Sequence, residues 1–378
     1  MNATRAIDLE DTDGLLAADR QGLLWSASSA GAQVRAVAAA ADEDALDSLR
    51  TDDRPRSIIW VAGRGTAETA GTLLAATLGG AASAPIALAG DAPPWVGPLD
   101  VLIVAGDDPG DPGLVGAAAT GVRRGARVVV VAPYEGPLRD STAGRAAVLQ
   151  PRLWVPDEFG LSRYLAAGLA TVQTVDPRPS IDLALLADEL DAEALRNSAS
   201  RELFTNPAKT IAARISGRQV ALAGDCPATL ALARHGSSVL LRIAHQVAAA
   251  TGLADAVVAL RATSETGAAL GSGLGQAPSA VDALFHDEEI DGPLPDRLRV
   301  LALTLADERT VVAARVAGLD EVYLIAAEDV PEAPGGVGGS GGLVGALAPG
   351  GAARAEQQLA VLAVRLEMAA VYLRLVRG

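Results

Sequence analysis

Two glycine turns, each closing an apolar run, are where this 378-residue chain would present backbone N–H groups to a ligand. The first is VAGRGTAETAG (61–71), in which Gly63 and Gly65 lie between a strand-like run and a helix opened by Thr66 and Ala67. A strand, a Gly-x-Gly turn and a helix start point N–H donors outward and attract anions. As a dinucleotide fingerprint the turn is poor, because Glu68 holds the third glycine position and no acid follows about 20 residues on at a strand end. In a chain with 40 glycines it reads equally well as a plain tight turn. Thr66 would cap the helix or donate to a phosphate, and capping is the commoner use.

The second turn, GDDPGDPGL (106–114), follows the run VLIVA and contains no hydroxyl side chain. Asp107, Asp108 and Asp111 put three carboxylates there, and Pro109 and Pro112 remove two N–H donors. Two unit charges 4 Å apart repel by roughly 4 kcal/mol at an effective dielectric near 20, so these acids oppose a phosphate. They would make Asx-type turns or gather a divalent cation, and in a PGD sequence turns are the expected use.

Few other side chains suit acid–base work. His286 and Glu288 lie two positions apart in FHDEE (285–289), and a histidine flanked by acids is ordinarily a solvated loop residue. His235 and His245 fall in a helical stretch and are expected at the surface or an interface. Lys209, the sole lysine, follows Asn206-Pro207 at a helix start, where it would form a surface ion pair or touch a ligand. Cys226 is the single cysteine, which excludes an intrachain disulfide and any multi-cysteine metal site. No histidine pair has zinc spacing, and in DLEDTDG (8–14) the EF-hand register puts Leu9 and Arg20 at ligand positions. No metal and no cofactor are expected.

The bulk properties narrow the partners. A net charge of −15 argues against nucleic acid, whose phosphates are bound by clustered Lys and Arg. No apolar run reaches the roughly 18–20 residues of a membrane span. The start, MNATRAIDLEDTDG, lacks a basic stretch followed by an apolar one, so the expected location is cytoplasmic. Half the residues are apolar and only 3% aromatic, so the core must be Ala, Val, Leu and Ile.

The elements that position these residues are read from periodicity. Residues 13–43 carry apolar positions at helical spacing, for one or two helices. Strands are expected at 57–63, 84–90, 100–106 and 126–133, with helices at 65–79 and 114–125. Continuous Val/Ile/Leu strands alternating with helices predict a parallel sheet covered on both faces. The pattern repeats after a helical connection, with a helix at 204–217 and strands at 218–225, 255–262, 297–304 and 321–327. The helix after the first of these strands is read through to residue 252. A further helix is expected at 307–318. The fold class is therefore α/β, two tandem αβα sandwiches with terminal helices. The expected divisions are 1–55 (helical), 56–175 (first α/β domain), 176–204 (helical connection), 205–330 (second α/β domain), 331–354 (glycine-rich linker) and 355–378 (final helix). That last helix, RAEQQLAVLAVRLEMAAVYLRLVR, is apolar nearly all round, so it must be buried between domains or in a dimer.

The segments Gly63–Leu74, PPWVGPLDVLIV, RRGARVVVVAPYEGPL, FTNPAKTIAARISGRQVALAGD and LAVLAVRLEMAAVYL, in this order, resemble a sugar isomerase (SIS) protein. The resemblance is to the two-SIS bifunctional phosphoglucose/phosphomannose isomerase family. It implies a sugar-phosphate ligand, a homodimer and aldose–ketose isomerisation. It also implies ligand contacts at Gly63, Gly65, Thr66 and Ala67, while Lys209, in NPAK, is a ligand-binding candidate in a different part of the pattern from the family's lysine. The chain departs from that pattern at functional points. Ala67 stands at the family's serine, and 106–114 replaces its Ser/Thr-rich phosphate loop. Ala283 stands where a catalytic glutamate is expected, and the family's late lysine has no counterpart. His286 and Glu288 are the catalytic candidates that remain. The sequence thus points to a degenerate SIS protein, a sugar-phosphate sensor or structural partner. The alternative is an active isomerase of glucose 6-phosphate or mannose 6-phosphate. NAD-dependent chemistry is disfavoured by the broken fingerprint.

Overall fold

The computed structural model describes residues 7–179, 181–270, 298–319, 321–328 and 354–377, with 263–270 traced as backbone. His286, Glu288 and the glycine-rich stretch 331–353 lie outside the described residues. The amino-terminal stretch forms three helices, α1 (Thr12–Ala18), α2 (Leu23–Ser28) and α3 (Ala30–Asp42), against the one or two expected.

The first sheet is built from β1 (Ser57–Ala62), β2 (Ile86–Ala89), β3 (Asp100–Ala105), β4 (Arg127–Val131) and β5 (Ala146–Val148). All are parallel, in the order β2-β1-β3-β4-β5. Helices α4 (Gly65–Leu78), α5 (Pro112–Arg123) and α6 (Gly136–Thr142) connect them. The period-2 alternation of strands sorts the side chains. Ile58, Trp60 and Ala62 of β1 join the inner core, while Ile59 and Val61 pack on the outer layer with α5. Trp60 fits because Gly71 of α4 has no side chain, and a Cβ there would collide with its indole. Its Nε1 donates to Ala67 O at 2.9 Å, so a fully buried tryptophan keeps its hydrogen bond.

Helices α7 (Leu161–Val175), α8 (Leu183–Arg196) and α9 (Pro207–Ile215) follow. The second sheet follows, with β6 (Val220–Gly224), β7 (Ala249–Gly252), β8 (Arg299–Leu303) and β9 (Val322–Ile325), again parallel, ordered β7-β6-β8-β9. Its helices are α10 (Pro227–Ala244), α11 (Leu253–Leu270) and α12 (Arg309–Arg315).

Two expectations are corrected here. Residues 255–262 are not a strand but lie in α11, where Leu253, Ala256 and Leu260 are buried. Those positions follow helical spacing, and a short apolar run does not discriminate the two periods. The adjoining strand is β7, whose AATG sequence lies in the stretch expected as helix through residue 252; small residues on a sheet edge give a weak strand signal.

One apolar cluster joins the inner faces of both sheets through α4, α7, α10 and α13 (Ala355–Arg377). Residues 356–373 of α13 are all buried within the single chain. The helix thus lies between the two sheets, and its apolar surface gives no reason for a dimer. It carries Arg365 and Glu367 into that core, each about 1% exposed. Arg365 Nε donates to Glu193 Oε1 of α8 at 2.8 Å, and Nη2 to Glu193 Oε2 at 3.1 Å. Nη1 and Nη2 also donate to Ala326 O and Ala327 O, just past β9, at 2.8 and 3.1 Å. Burial pushes the Glu193 carboxyl up, but Arg365 and Arg196 outweigh it and hold the acid below its ordinary value.

Removing one partner of a buried pair strands the other charge, at a cost of about 3–5 kcal/mol. Arg365→Met should lower the urea midpoint accordingly, and Glu193→Gln in the same chain should recover most of the loss. An unchanged midpoint in the single variant would contradict the role given to the pair.

Candidate functional site

In an open parallel sheet, ligands bind beyond the carboxyl ends of the strands, where the strand order reverses. In the first sheet that point lies between β1 and β3, so the crevice is walled by the turns 63–66 and 106–111. Gly65 has φ +69°, a left-handed conformation that glycine adopts without strain. Arg64 is the N-cap of α4 and makes no side-chain capping bond. Thr66 is therefore not the cap expected of it. Its hydroxyl is buried and donates toward Asp157, with O and Oδ1 both at 3.0 Å. Sequence reading did not find Asp157, because it lies 91 residues downstream on the short turn Asp157–Phe159 ahead of α7.

The opposite wall is the aspartate loop. Asp108 Oδ1 accepts from Gly110 N at 2.8 Å, an Asx-type turn as expected. Asp111 is the N-cap of α5, accepting from Gly113 N at 2.8 Å and Leu114 N at 3.3 Å. Pro112 has no N–H, and Val115 N donates to Asp111 O at 3.0 Å. Every N–H of the first turn of α5 is thus taken within the chain. The other oxygen of Asp111 faces across the crevice, 3.4 Å from where a Gly63 Cβ would lie. Asp111 therefore stands where an anion on this loop would sit.

Asp157 carries the electrostatics of the crevice. Burial and the nearby charge of Asp107 raise its carboxyl above the ordinary value, against the Thr66 hydrogen bond and Arg242. Arg242, from α10, pairs with Glu158 at 2.7 Å and with Asp157 at 3.6 Å. It thereby fastens the second α/β unit to the rim of the first crevice. No three His, Cys, Asp or Glu side chains converge as a metal-ligand set among the described residues.

The second sheet reverses order between β6 and β8. Its turn, Gly224-Asp225-Cys226, is also acidic, and Asp225 pairs with Arg315 of α12. Cys226 is half-buried and caps α10 in a reciprocal arrangement with Thr229.

No family model matches the sequence, and no curated protein matches it. Solved structures do match the fold. The tagatose-6-phosphate ketose/aldose isomerase of Escherichia coli superposes with a TM-score of 0.57 at 13% identity, over 100% of this chain and 95% of that one. The C-terminal domain of glucosamine-fructose-6-phosphate aminotransferase from Francisella tularensis gives 0.56 at 12%, over 94% and 96%. A glucose-6-phosphate isomerase-like protein from Thermus thermophilus gives 0.50 at 18%, over 98% and 94%. The chain has the SIS-type αβα fold.

Within this SIS-type fold the sequence candidates separate. Gly63, Gly65, Thr66 and Ala67 stay together at the β1–α4 turn, though Ala67 is buried with its carbonyl on Trp60. Lys209 is not at the surface. It is fully buried, its ammonium donates to Ala199 O and Arg201 O at 2.8 Å each, and it lies 5.6 Å over the Tyr372 ring. His235 is likewise no surface residue, since its Nε2 is 2.9 Å from Glu367 Oε1 in the core. His245 is exposed, as expected, at the left-handed end of α10. Among the described residues no helix is long and apolar enough to cross a membrane.

A carboxyl whose folded pKa is raised contributes stability below its unfolded value, and loses it as pH rises through the folded value. Asp157→Asn, which keeps the acceptor for Thr66 without the charge, should therefore raise Tm at pH 7. The gain should shrink toward pH 4, and a lower Tm at pH 7 would refute the charge argument.

Proposed function

We propose that this chain is a catalytically degenerate SIS-type protein, a ligand sensor or structural partner and not a working isomerase. Asp111 carries the reading. Its carboxylate already takes the N–H groups of Gly113 and Leu114 and faces the Gly63 turn, so a phosphate at this loop would meet an anion in its place. The repulsion is roughly 4 kcal/mol per unit-charge pair at 4 Å. The chemistry of isomerisation also lacks local candidates. Moving the proton between C1 and C2 needs a poised base, yet the described lysine and the buried histidine bond to the chain itself.

The finer resemblance to the bifunctional phosphoglucose/phosphomannose isomerases belongs to this proposal, as do the homodimer, the cytoplasmic location and the division into two SIS domains. The competing reading is an active isomerase using His286 and Glu288. What favours it is the two-sheet architecture, matched over nearly the whole length of solved structures that include a tagatose-6-phosphate isomerase.

The deciding measurement is NMR of mannose 6-phosphate and of glucose 6-phosphate in D₂O with the purified protein. The H2 signal should persist and no fructose 6-phosphate should form; exchange at C2 or the ketose would establish an active isomerase. Asp111→Ser supplies a second check. Serine still caps α5, so stability should change by no more than about 1 kcal/mol. Inorganic phosphate should then bind at least tenfold more tightly than to the parent chain; unchanged binding would mean that Asp111 does not occupy the anion position.

A further inference from the structure

Among the described residues, five buried side-chain atoms find no hydrogen-bond partner in the chain: Gln33 Oε1, Ser83 Oγ, Arg163 Nε, Tyr164 OH and Glu308 Oε2. Buried polar groups are nearly always paired, so each marks a place where a partner from outside the protein would fit. Two of the five belong to residues that line one small cavity. Gln33 and Ala36 of α3, Arg163 of α7 and Arg152 border a space of about 10 Å³. That is the room one water needs.

Gln33 is 2% exposed, and its neighbours decide which way its amide points. Nε2 donates to Phe159 O at 3.0 Å and to Ser29 Oγ at 3.1 Å. A carbonyl oxygen only accepts, so the flipped amide would set two oxygens against each other. Oε1 is therefore the atom left over, and it needs a donor. Arg163 is half-buried, and its Nε carries one proton that needs an acceptor. Its Cζ lies 4.4 Å from the centre of the Tyr164 ring, a contact with the ring and not with the hydroxyl, which is itself unpartnered.

Gln33 Oε1 and Arg163 Nε are not bonded to each other, so a group that joins them must donate to the first and accept from the second. An anion has no proton for Oε1. A cation has no lone pair for Nε and would lie beside two guanidinium groups, those of Arg152 and Arg163. Arg152 already has its counter-charge in Glu43, 2.9 Å away. A neutral hydroxyl meets both demands, and at this volume the hydroxyl is water.

We propose that one structural water occupies this cavity, donating to Gln33 Oε1 and accepting from Arg163 Nε. It closes a hydrogen-bonded chain from Ser26 O through Ser29 Oγ and Gln33 to Arg163. Gln33 also holds Phe159 O, at the end of the turn that carries Asp157. The water thus ties α3 to the first turn of α7 behind that turn. The inference stands whether or not the chain is an isomerase.

A high-resolution crystal structure of the parent chain tests it directly. A density peak at hydrogen-bond distance from both Gln33 Oε1 and Arg163 Nε is expected. No peak, a direct bond between the two side chains, or a peak with the anomalous signal of chloride would each overturn the proposal. Oxygen-17 relaxation dispersion, which counts waters held for longer than the protein tumbles, supplies the solution readout. Arg163→Met leaves the Gln33–Phe159 bond in place, and Gln33→Met removes the acceptor. Each should hold one long-lived water fewer than the parent, because a buried water needs at least two polar partners. An undiminished count in either folded variant overturns the proposal. Should Gln33→Met fail to fold, Arg163→Met and the parent crystal still decide it.

Discussion

A guanidinium in an apolar core is tolerable only when its N–H groups are paired and its charge is met. Arg365 satisfies both demands at the middle of α13, with two bonds to Glu193 and two to the carbonyls after β9. Those partners lie on the helical connection and on the edge of the second sheet. Satisfying Arg365 therefore fixes where α13 lies within the apolar cluster that joins the inner faces of both sheets. Leucine or methionine at this position would pack as well but would not select one axial setting of a helix that is apolar on nearly every side.

The same helix absorbs the residue types that might otherwise have been read as catalytic. Glu367 meets His235 of α10 at 2.9 Å, and Tyr372 lies under the Lys209 ammonium. Lys209 in turn holds the carbonyls of Ala199 and Arg201. These contacts make a polar spine through an alanine- and leucine-rich interior, where dispersion alone would leave helix register loosely specified. A histidine and a lysine so placed are structural.

The crevice at the β1–β3 reversal keeps the backbone of an anion cradle and reverses its charge. The Gly65 turn and the start of α5 have the geometry that would receive a phosphate, while Asp111 supplies the negative group from within the chain. Arg242 reaches from the second unit to Asp157 and Glu158, so the acids of the first crevice also help join the two units.

Much of the architecture was legible in the sequence by itself. The runs SIIWVA, DVLIVA and RVVVV are apolar on both strand faces, which is possible only in a sheet covered on both sides, and they became β1, β3 and β4. The all-round apolarity of α13 likewise required burial. The acids of 106–114 predicted Asx-type turns, and Asp108 and Asp111 make them. What the sequence left open was set by contacts between residues far apart in the chain. A local pattern does not say whether an apolar helix is covered by its own chain or by a copy; the shared inner core decided that. Nor does it distinguish a helical from an extended AVVAL segment, pair Thr66 with Asp157 across 91 positions, or place Lys209 and His235 inside. Periodicity reports which faces avoid water, whereas the partner a buried polar group finds depends on which distant element is packed against it.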